Sequence, residues 1–346
     1  MKTIYLVCES FDKNDGQGVF KLAHYLYEGL SKYTKVEKIE LEKSKNGIQR
    51  VYNLTRGALK KCVDKEGIYL FLCPEYSYAS KFLKNSYVIV EDLLPILHEG
   101  ERKKSFVMFW KYCWNIAKKQ NIITISKETQ GNILDNLYPN QYTTVLPDFI
   151  EDKIKNIYLG VDKELFKPIK KVTNKIFTVG YVGGFGNRKN VKFILEVARR
   201  LPKIKFKIAG KGGNYEELKS NAPKNIEFIG YIDEKNLGDY YNSLDLFLYP
   251  DLIDGWALPI VESMACGTPV LVHHTGVFYE VVNENNNMVA DMENSKEVSS
   301  RILELSKDKM QLNNLKKDCL KRAKDFDWNK TIKEYYNFII KKNKSM

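Results

Sequence analysis

Two carboxylates, Asp254 and Glu262, bracket the start of a short apolar stretch that runs Leu258-Pro259-Ile260-Val261-Glu262-Ser263-Met264-Ala265-Cys266-Gly267. Pro259 suits the first turn of a helix, where its missing N–H costs nothing. Gly267 suits the residue just past the end, and Pro269 prevents continuation. Asp254 therefore sits in the loop before a helix, and Glu262 projects from about one turn inside it. A helix N-terminus carries free N–H groups and about half a positive charge, so it attracts phosphate. A phosphate seat flanked by two carboxylates that accept hydroxyl hydrogens suits a nucleotide sugar. The same residues also describe an ordinary capped core helix.

Upstream, glycine and cations share a turn. Tyr181-Val182-Gly183-Gly184-Phe185-Gly186-Asn187-Arg188-Lys189-Asn190 follows an apolar run and opens a helical pattern. Glycine lets backbone N–H groups approach a ligand closely. Arg188 suits a forked contact with pyrophosphate and Lys189 a point-charge contact. Ala209-Gly210-Lys211-Gly212-Gly213 closes the next apolar run and could line a base or ribose. Near the N-terminus, Asp15-Gly16-Gln17-Gly18 precedes a helical pattern that starts at Val19. Each of these also reads as a plain turn in a lysine-rich chain.

The elements that must position these residues alternate from end to end. Apolar runs at Ile4 to Cys8, Tyr69 to Cys73, Tyr87 to Val90 and Ile122 to Ile125 read as strands. Helical patterns cover Val19 to Lys32, Val51 to Lys61 and Phe106 to Lys119. The pattern restarts after a polar, proline-bearing stretch from Lys167 to Asn174. Strands follow at Ile176 to Val182, Phe206 to Ala209, Ile226 to Ile229, Leu244 to Leu248 and Val270 to Val272. Helices follow at Asn190 to Arg200, Tyr215 to Ser220, Glu234 to Ser243, Pro259 to Cys266 and Lys296 to Ser306. Strands spaced by helices predict βαβ units and parallel sheets. The expected architecture is α/β, with two doubly wound Rossmann-like domains facing a cleft. The boundaries are 1–167 and 168–328, with a final helix at 329–346 crossing back.

The 346 residues hold 55 Lys and Arg against 43 Asp and Glu, a net charge of +12. That excess favours anionic partners, although lysine-rich composition alone accounts for it equally well. The basic residues are scattered and form no recognised nucleic-acid motif, so nucleic acid is not expected as a partner. The six cysteines make no C-x-x-C pair and lie in apolar or helical contexts, as reduced thiols in a cytoplasm do. The N-terminus meets a charge too early for a secretory signal.

Taken in order, the motifs resemble those of retaining glycosyltransferases of the two-Rossmann-domain GT-B fold. More narrowly, they resemble the large nucleotide-sugar-dependent group with two acidic residues eight positions apart, the glycosyl transferases group 1. Asp15-Gly16-Gln17-Gly18 resembles that family's first-domain glycine loop. Glu91-Asp92-Leu93-Leu94-Pro95 resembles its His-Asp-x-x-Pro turn, and Ile122 to Ser126 the strand ending the first domain's core. Leu159-Gly160-Val161-Asp162 with Phe166-Lys167-Pro168 resembles its linker. Lys189-Asn190 resembles its donor-phosphate turn, and Thr275 to Val282 the segment after its signature helix. Phe326-Asp327-Trp328 resembles its final turn.

The resemblance implies roles. Glu262 is expected to bind the nucleotide ribose and Asp254 the donor sugar's hydroxyls. Lys189 and Arg188 are expected to hold the pyrophosphate, and the N–H groups of Ala257 and Leu258 to seat a phosphate. Gly16, Gly18, Gly183, Gly184, Gly210 and Gly212 belong to the loops that approach the nucleotide. Asp92 or Glu91 would orient the acceptor hydroxyl. The donor is a UDP- or GDP-sugar used as substrate, with no cofactor and no metal, because cations and the helix end carry the leaving-group charge. Transfer proceeds with retention, the diphosphate helping to deprotonate a glycan or lipid-linked acceptor. Replacing Lys189 or Glu262 by Ala is expected to abolish transfer without unfolding.

Four positions depart from the family pattern: Asp254 replaces Glu, Ala257 replaces Gly, Gly184 replaces Arg and Glu91 replaces His. They point either to an unusual donor or to a catalytically silent nucleotide-sugar-binding subunit. The segment 102–119 mixes aromatics with basic flanks. It fits a first-domain core helix, or a helix lying peripherally on an anionic membrane.

Overall fold

The computed structural model describes residues 2–13, 15, 18–98, 103–137, 153–169 and 174–344. They fall into two units, 1–160 with 328–346 and 161–327.

In the first unit, Ile4–Cys8 (β1), Val36–Glu40 (β2), Ile68–Phe71 (β3), Asn85–Val90 (β4), Asn121–Thr124 (β5) and Ile154–Asn156 (β6) form one sheet. Its order is β2-β1-β3-β4-β5-β6, and every pairing is parallel. Parallel strands covered on both faces become continuous apolar runs, and every residue of β3 and β4 is buried. The edge strands β2 and β6 are half exposed and read Val-Glu-Lys-Ile-Glu and Ile-Lys-Asn. They carry too few apolar residues to stand out in the sequence.

The helix Lys104–Ala117 buries Val107, Trp110, Cys113, Trp114, Ile116 and Ala117, with the two indoles stacked at 6.1 Å. Two of its aromatics thus go into the core, while Phe106 and Phe109 are half-buried and Met108 and Tyr112 exposed. Among the described residues, no helix is long and apolar enough to cross a membrane. The last helix, Trp328–Lys344, closes this same unit. Trp328 stacks on Tyr25 at 4.4 Å, and Tyr335 and Ile339 are fully buried. A Cβ on Gly29 would lie 2.3 Å from the Ile332 side chain, so glycine is what permits the helices to meet.

The second unit contains Thr178–Val182 (β7), Lys205–Ala209 (β8), Ile226–Gly230 (β9), Leu246–Tyr249 (β10), Val270–His273 (β11) and Val289–Ala290 (β12). They form a parallel sheet ordered β12-β11-β10-β7-β8-β9. Helices Val191–Arg200, Tyr215–Ser220, Glu234–Asn242, Leu258–Ala265 and Ser295–Lys307 fall within a residue or two of expectation. The helix Lys309–Ala323 was not anticipated. Its buried residues, Leu312, Leu315, Cys319 and Ala323, keep helical spacing but are diluted by lysine and asparagine.

The break between units lies before Val161, not after residue 167. Val161 N–H donates to the Phe326 carbonyl at 3.2 Å, Val161 bridges Asp327, and buried Phe166 packs its ring edge on Tyr241. Residues 161–167 are therefore held by the second unit. Part of the expected linker, residues 170–173, lies outside the described residues.

Candidate functional site

β7 and β10 are neighbours, with β8 and β9 laid to one side and β11 and β12 to the other. Strand order reverses there, and ligands of doubly wound sheets bind beyond the carboxyl ends at such a point. The chain leaves β7 through Gly183 to Gly186 and a short turn, Asn187–Lys189. Asn190 then takes a left-handed conformation, φ 48° and ψ 32°, which asparagine tolerates better than most residues. Its side-chain amide donates to the Pro250 and Met292 carbonyls, both at 3.1 Å. Those bonds pin the turn against the exit from β10.

The pinned turn brings Arg188 and Lys189 to the residues after β10. Lys189 Nζ donates to Tyr249 Oη at 2.9 Å, Asp251 Oδ2 at 2.5 Å and Asp254 Oδ2 at 2.9 Å. An ammonium has three N–H bonds, so all three are engaged. Arg188 Nη1 donates to the Ile253 carbonyl at 2.6 Å and stands 3.8 and 3.9 Å from Asp251 and Asp254. Tyr249 Oη donates in turn to Asp254 Oδ2 at 2.9 Å. Two cations and two carboxylates thus share one cluster.

The carboxylates differ in setting. Asp251 is fully buried. Burial lifts its carboxyl to about 6 despite Lys189, and the Asp254 charge pushes the same way. Asp254 keeps a fifth of its side chain exposed. Burial raises it as well, but Lys189, Arg188 and the Tyr249 hydroxyl together hold it below the ordinary carboxylate range. Burial and the two aspartates also push the Tyr249 and Tyr181 phenols upward.

Past Asp254, Ala257 caps the helix Leu258–Ala265 in a left-handed conformation, φ 61° and ψ 62°. A Cβ there costs about 1–2 kcal/mol. The conformation explains why a glycine suits this position and why Ala257 strains it. Glu262 is buried on that helix and accepts from Tyr241 Oη at 2.9 Å. Asp254 in the loop before the helix and Glu262 one turn inside it thus have different partners, one the lysine cluster and the other a tyrosine.

The glycines separate by cause. A Cβ on Gly183 would meet the Tyr181 hydroxyl at 2.3 Å, and one on Gly210 would meet the Gly183 carbonyl at 1.8 Å. Close approach between the two loops requires the second, whereas the first is required by the Tyr181 ring of its own strand. Gly184 and Gly212 have nothing within 4 Å of a Cβ, although Gly212 has φ 80°. Gly18 opens the helix Gly18–Leu30 with open space at its Cβ. Gly16 and Gln17 lie outside the described residues.

Asp92 belongs to the first unit. It follows β4 and accepts from the Leu94 N–H at 3.0 Å, a local bond just ahead of the helix Leu94–Leu97, whose first turn Pro95 occupies. At the point where strand order reverses in that unit, between β1 and β3, lies a group the sequence did not suggest. Arg50 meets Glu9 through Nε and Nη2, each at 3.2 Å, and Glu75 at 3.4 Å. Asp251 was also missed. Its signal was present as a carboxylate directly after the wholly apolar run Leu246-Phe247-Leu248-Tyr249-Pro250.

Among the described residues, His273, His274 and Asp291 bring potential metal-ligating atoms within 4.8 Å of one another. His273 Nδ1 instead accepts from the Met292 N–H at 3.3 Å. A metal-bound imidazole usually donates from its second nitrogen, so the polarity opposes a metal.

Two parallel α/β units, the second with cations and carboxylates at its strand-order reversal, define the GT-B class of glycosyltransferase fold. Sucrose-phosphate synthase from Thermosynechococcus elongatus aligns over 100% of both chains, with a TM-score of 0.80 at 15% identity. HepE of Anabaena, solved in complex with UDP, aligns over 99% of this chain and 100% of its own, with a TM-score of 0.72 at 16% identity. Within this fold, residues 162–326 match the family Glycosyl transferases group 1, and the second unit carries a domain of that family. An uncharacterized glycosyltransferase of Methanocaldococcus jannaschii is 24% identical over 65% of this chain and 60% of its own length. The alpha-galactosylglucosyldiacylglycerol synthase of Streptococcus pneumoniae is 25% identical over 72% of this chain and 69% of its own.

Proposed function

We propose that this chain transfers a sugar from a nucleoside diphosphate sugar to a hydroxyl acceptor, in the assembly of a cell-surface glycan or glycolipid. The observation that carries the reading is the Arg188–Lys189 pair pinned beyond β7 and β10, beside Asp254 and the start of the helix Leu258–Ala265. Cations there neutralise the charge that develops on a departing diphosphate. Each such contact is worth roughly 2–4 kcal/mol in a transition state, by analogy with oxyanion donors. The helix N-terminus adds its N–H groups at Ala257 and Leu258. Asp254 receives hydroxyls of the sugar and Glu262 those of the ribose, while Lys189 and Arg188 hold the diphosphate. No residue is assigned as a covalent nucleophile. Transfer is read as retaining and metal-independent, with the diphosphate accepting the acceptor's proton. UDP- or GDP-sugars are the proposed donors, and Asp92 orients the acceptor.

The Anabaena neighbour solved with UDP supports the donor class, and the pneumococcal relative's name supports a glycolipid product. The test is a thermal-shift screen over UDP-, GDP- and ADP-sugars, followed by donor turnover in wild type and Glu262→Ala. A donor at about 100 times its Kd stabilises by about 2.7 kcal/mol. A second reading, a silent nucleotide-sugar-binding subunit, is favoured by Gly184 standing where the family places arginine. Stabilisation with no turnover, including hydrolysis, selects it. Full turnover by Glu262→Ala refutes the assignment of that residue.

A further inference from the structure

The cluster after β10 is electrically balanced: Arg188 and Lys189 face Asp251 and Asp254. Every N–H of Lys189 is already donated. A diphosphate therefore meets a seat with no surplus positive charge and a lysine with no spare donor. Asp251 is the one fully buried member. Its Oδ2 accepts from Lys189, and its Oδ1 has no hydrogen-bond partner among the described residues. The groups that bear on it are Lys189 and Arg188 from the turn after β7, Asp254 from its own loop, and the phenols of Tyr181 on β7 and Tyr249 on β10.

We propose that Asp251 is a working part of the donor site, taking up one proton from solvent when the donor's diphosphate binds. The proton joins the carboxylate and no other bond changes. The cluster then carries one net positive charge, and Lys189, no longer held by an anion at Asp251, can turn an N–H to phosphate. This inference rests on the reading of the site as a nucleoside diphosphate seat.

The sign follows from electrostatics. An anion brought near a carboxyl raises its pKa. Asp251 already stands at about 6, so a bound diphosphate moves it toward or past neutrality. Between the free and bound values the complex holds a proton that the free protein lacks. Affinity then falls as pH rises through that window, by up to about tenfold per pH unit.

The experiment is titration calorimetry of the full chain with UDP-glucose and with GDP-mannose, near neutral pH, in two buffers of different ionisation enthalpy. Neither donor has a diphosphate proton to exchange there. The expected result is net uptake approaching one proton per donor bound. Asp251→Asn keeps the shape and an acceptor oxygen for Lys189. It is expected to bind with no proton uptake and with affinity flat where wild type weakens about tenfold. Donor binding without uptake in wild type overturns the inference and leaves the function standing, as does undiminished uptake by Asp251→Asn. Binding of no UDP-, GDP- or ADP-sugar in the thermal-shift screen overturns both. If Asp251→Asn does not fold, Asp251→Ser replaces it, and the wild-type proton count alone still decides.

Discussion

Removing Lys189 should damage the fold, and the damage should depend on pH. In Lys189→Ala the two aspartates keep their places, Asp251 fully buried, but lose the ammonium that stands 2.5 and 2.9 Å away. Breaking one side of a buried ion pair costs about 3–5 kcal/mol. Lys189 pulls both carboxyls down, so without it both rise. A carboxyl whose folded pKa exceeds its unfolded value binds more protons when folded. Such a group loses stability as pH climbs through the gap, by about 1.36 kcal/mol per unit. In wild type the Asp251 gap runs from 3.8 to about 6, which amounts to a cost of roughly 3 kcal/mol above it. The variant's gap extends higher, and Asp254 joins it. Melting temperature measured at about pH 5.5 and about pH 8 reads this directly. At the higher pH a loss of 3–5 kcal/mol lowers Tm by roughly 6–20 °C for a unit of this size, and at the lower pH by less than half as much. Adding Asp251→Asn should restore most of the loss. Equal losses at both pH values, or no rescue, would refute the reasoning. Lost activity in Lys189→Ala therefore needs a melting curve beside it, contrary to the simpler expectation from sequence.

Ala257→Gly removes a Cβ from a left-handed residue and should stabilise by about 1 kcal/mol, read as a higher Tm; a lower Tm would mean the strain is absent. Gly184→Arg places a cation where nothing lies within 4 Å of the new Cβ, so it should fold normally and tighten donor binding about tenfold, as one charge-assisted contact allows; calorimetry checks it. Cys8, Cys62, Cys113, Cys266 and Cys319 are pushed up to about 12 by burial. An aromatic disulfide near pH 8 should therefore label these five buried cysteines only after unfolding, half-buried Cys73 aside; fast labelling of more than one cysteine in the native protein would contradict their burial.

What was legible in the sequence depended on how its information is stored. β1, β3 and β4 announce themselves because parallel strands covered on both sides are apolar throughout. β2 and β6, at the sheet edges, do not. The turn at Lys189 and the helix at Leu258 were readable from glycine, proline and cation placement, since those residues act locally. The engagement of Lys189 was not readable, because Tyr249, Asp251 and Asp254 meet it across 60 residues or more of chain. The space demanded at Gly210 likewise depends on one loop crossing another. In the helix Lys104–Ala117, composition does not tell which aromatics are buried; only the fold turns Trp110 and Trp114 inward and Met108 and Tyr112 outward.

The helix Trp328–Lys344 has a consequence for biosynthesis. The second unit is contiguous, residues 161–327, whereas the first needs 328–346 to complete it. Domains generally finish in the order they emerge from the ribosome. Here that order inverts: the unit translated first stays open along the surface that Trp328, Tyr335 and Ile339 cover, until the helix Trp328–Lys344 has been translated. A nascent chain halted before residue 328 would expose Tyr25 and Gly29 to chaperones while carrying a finished second unit.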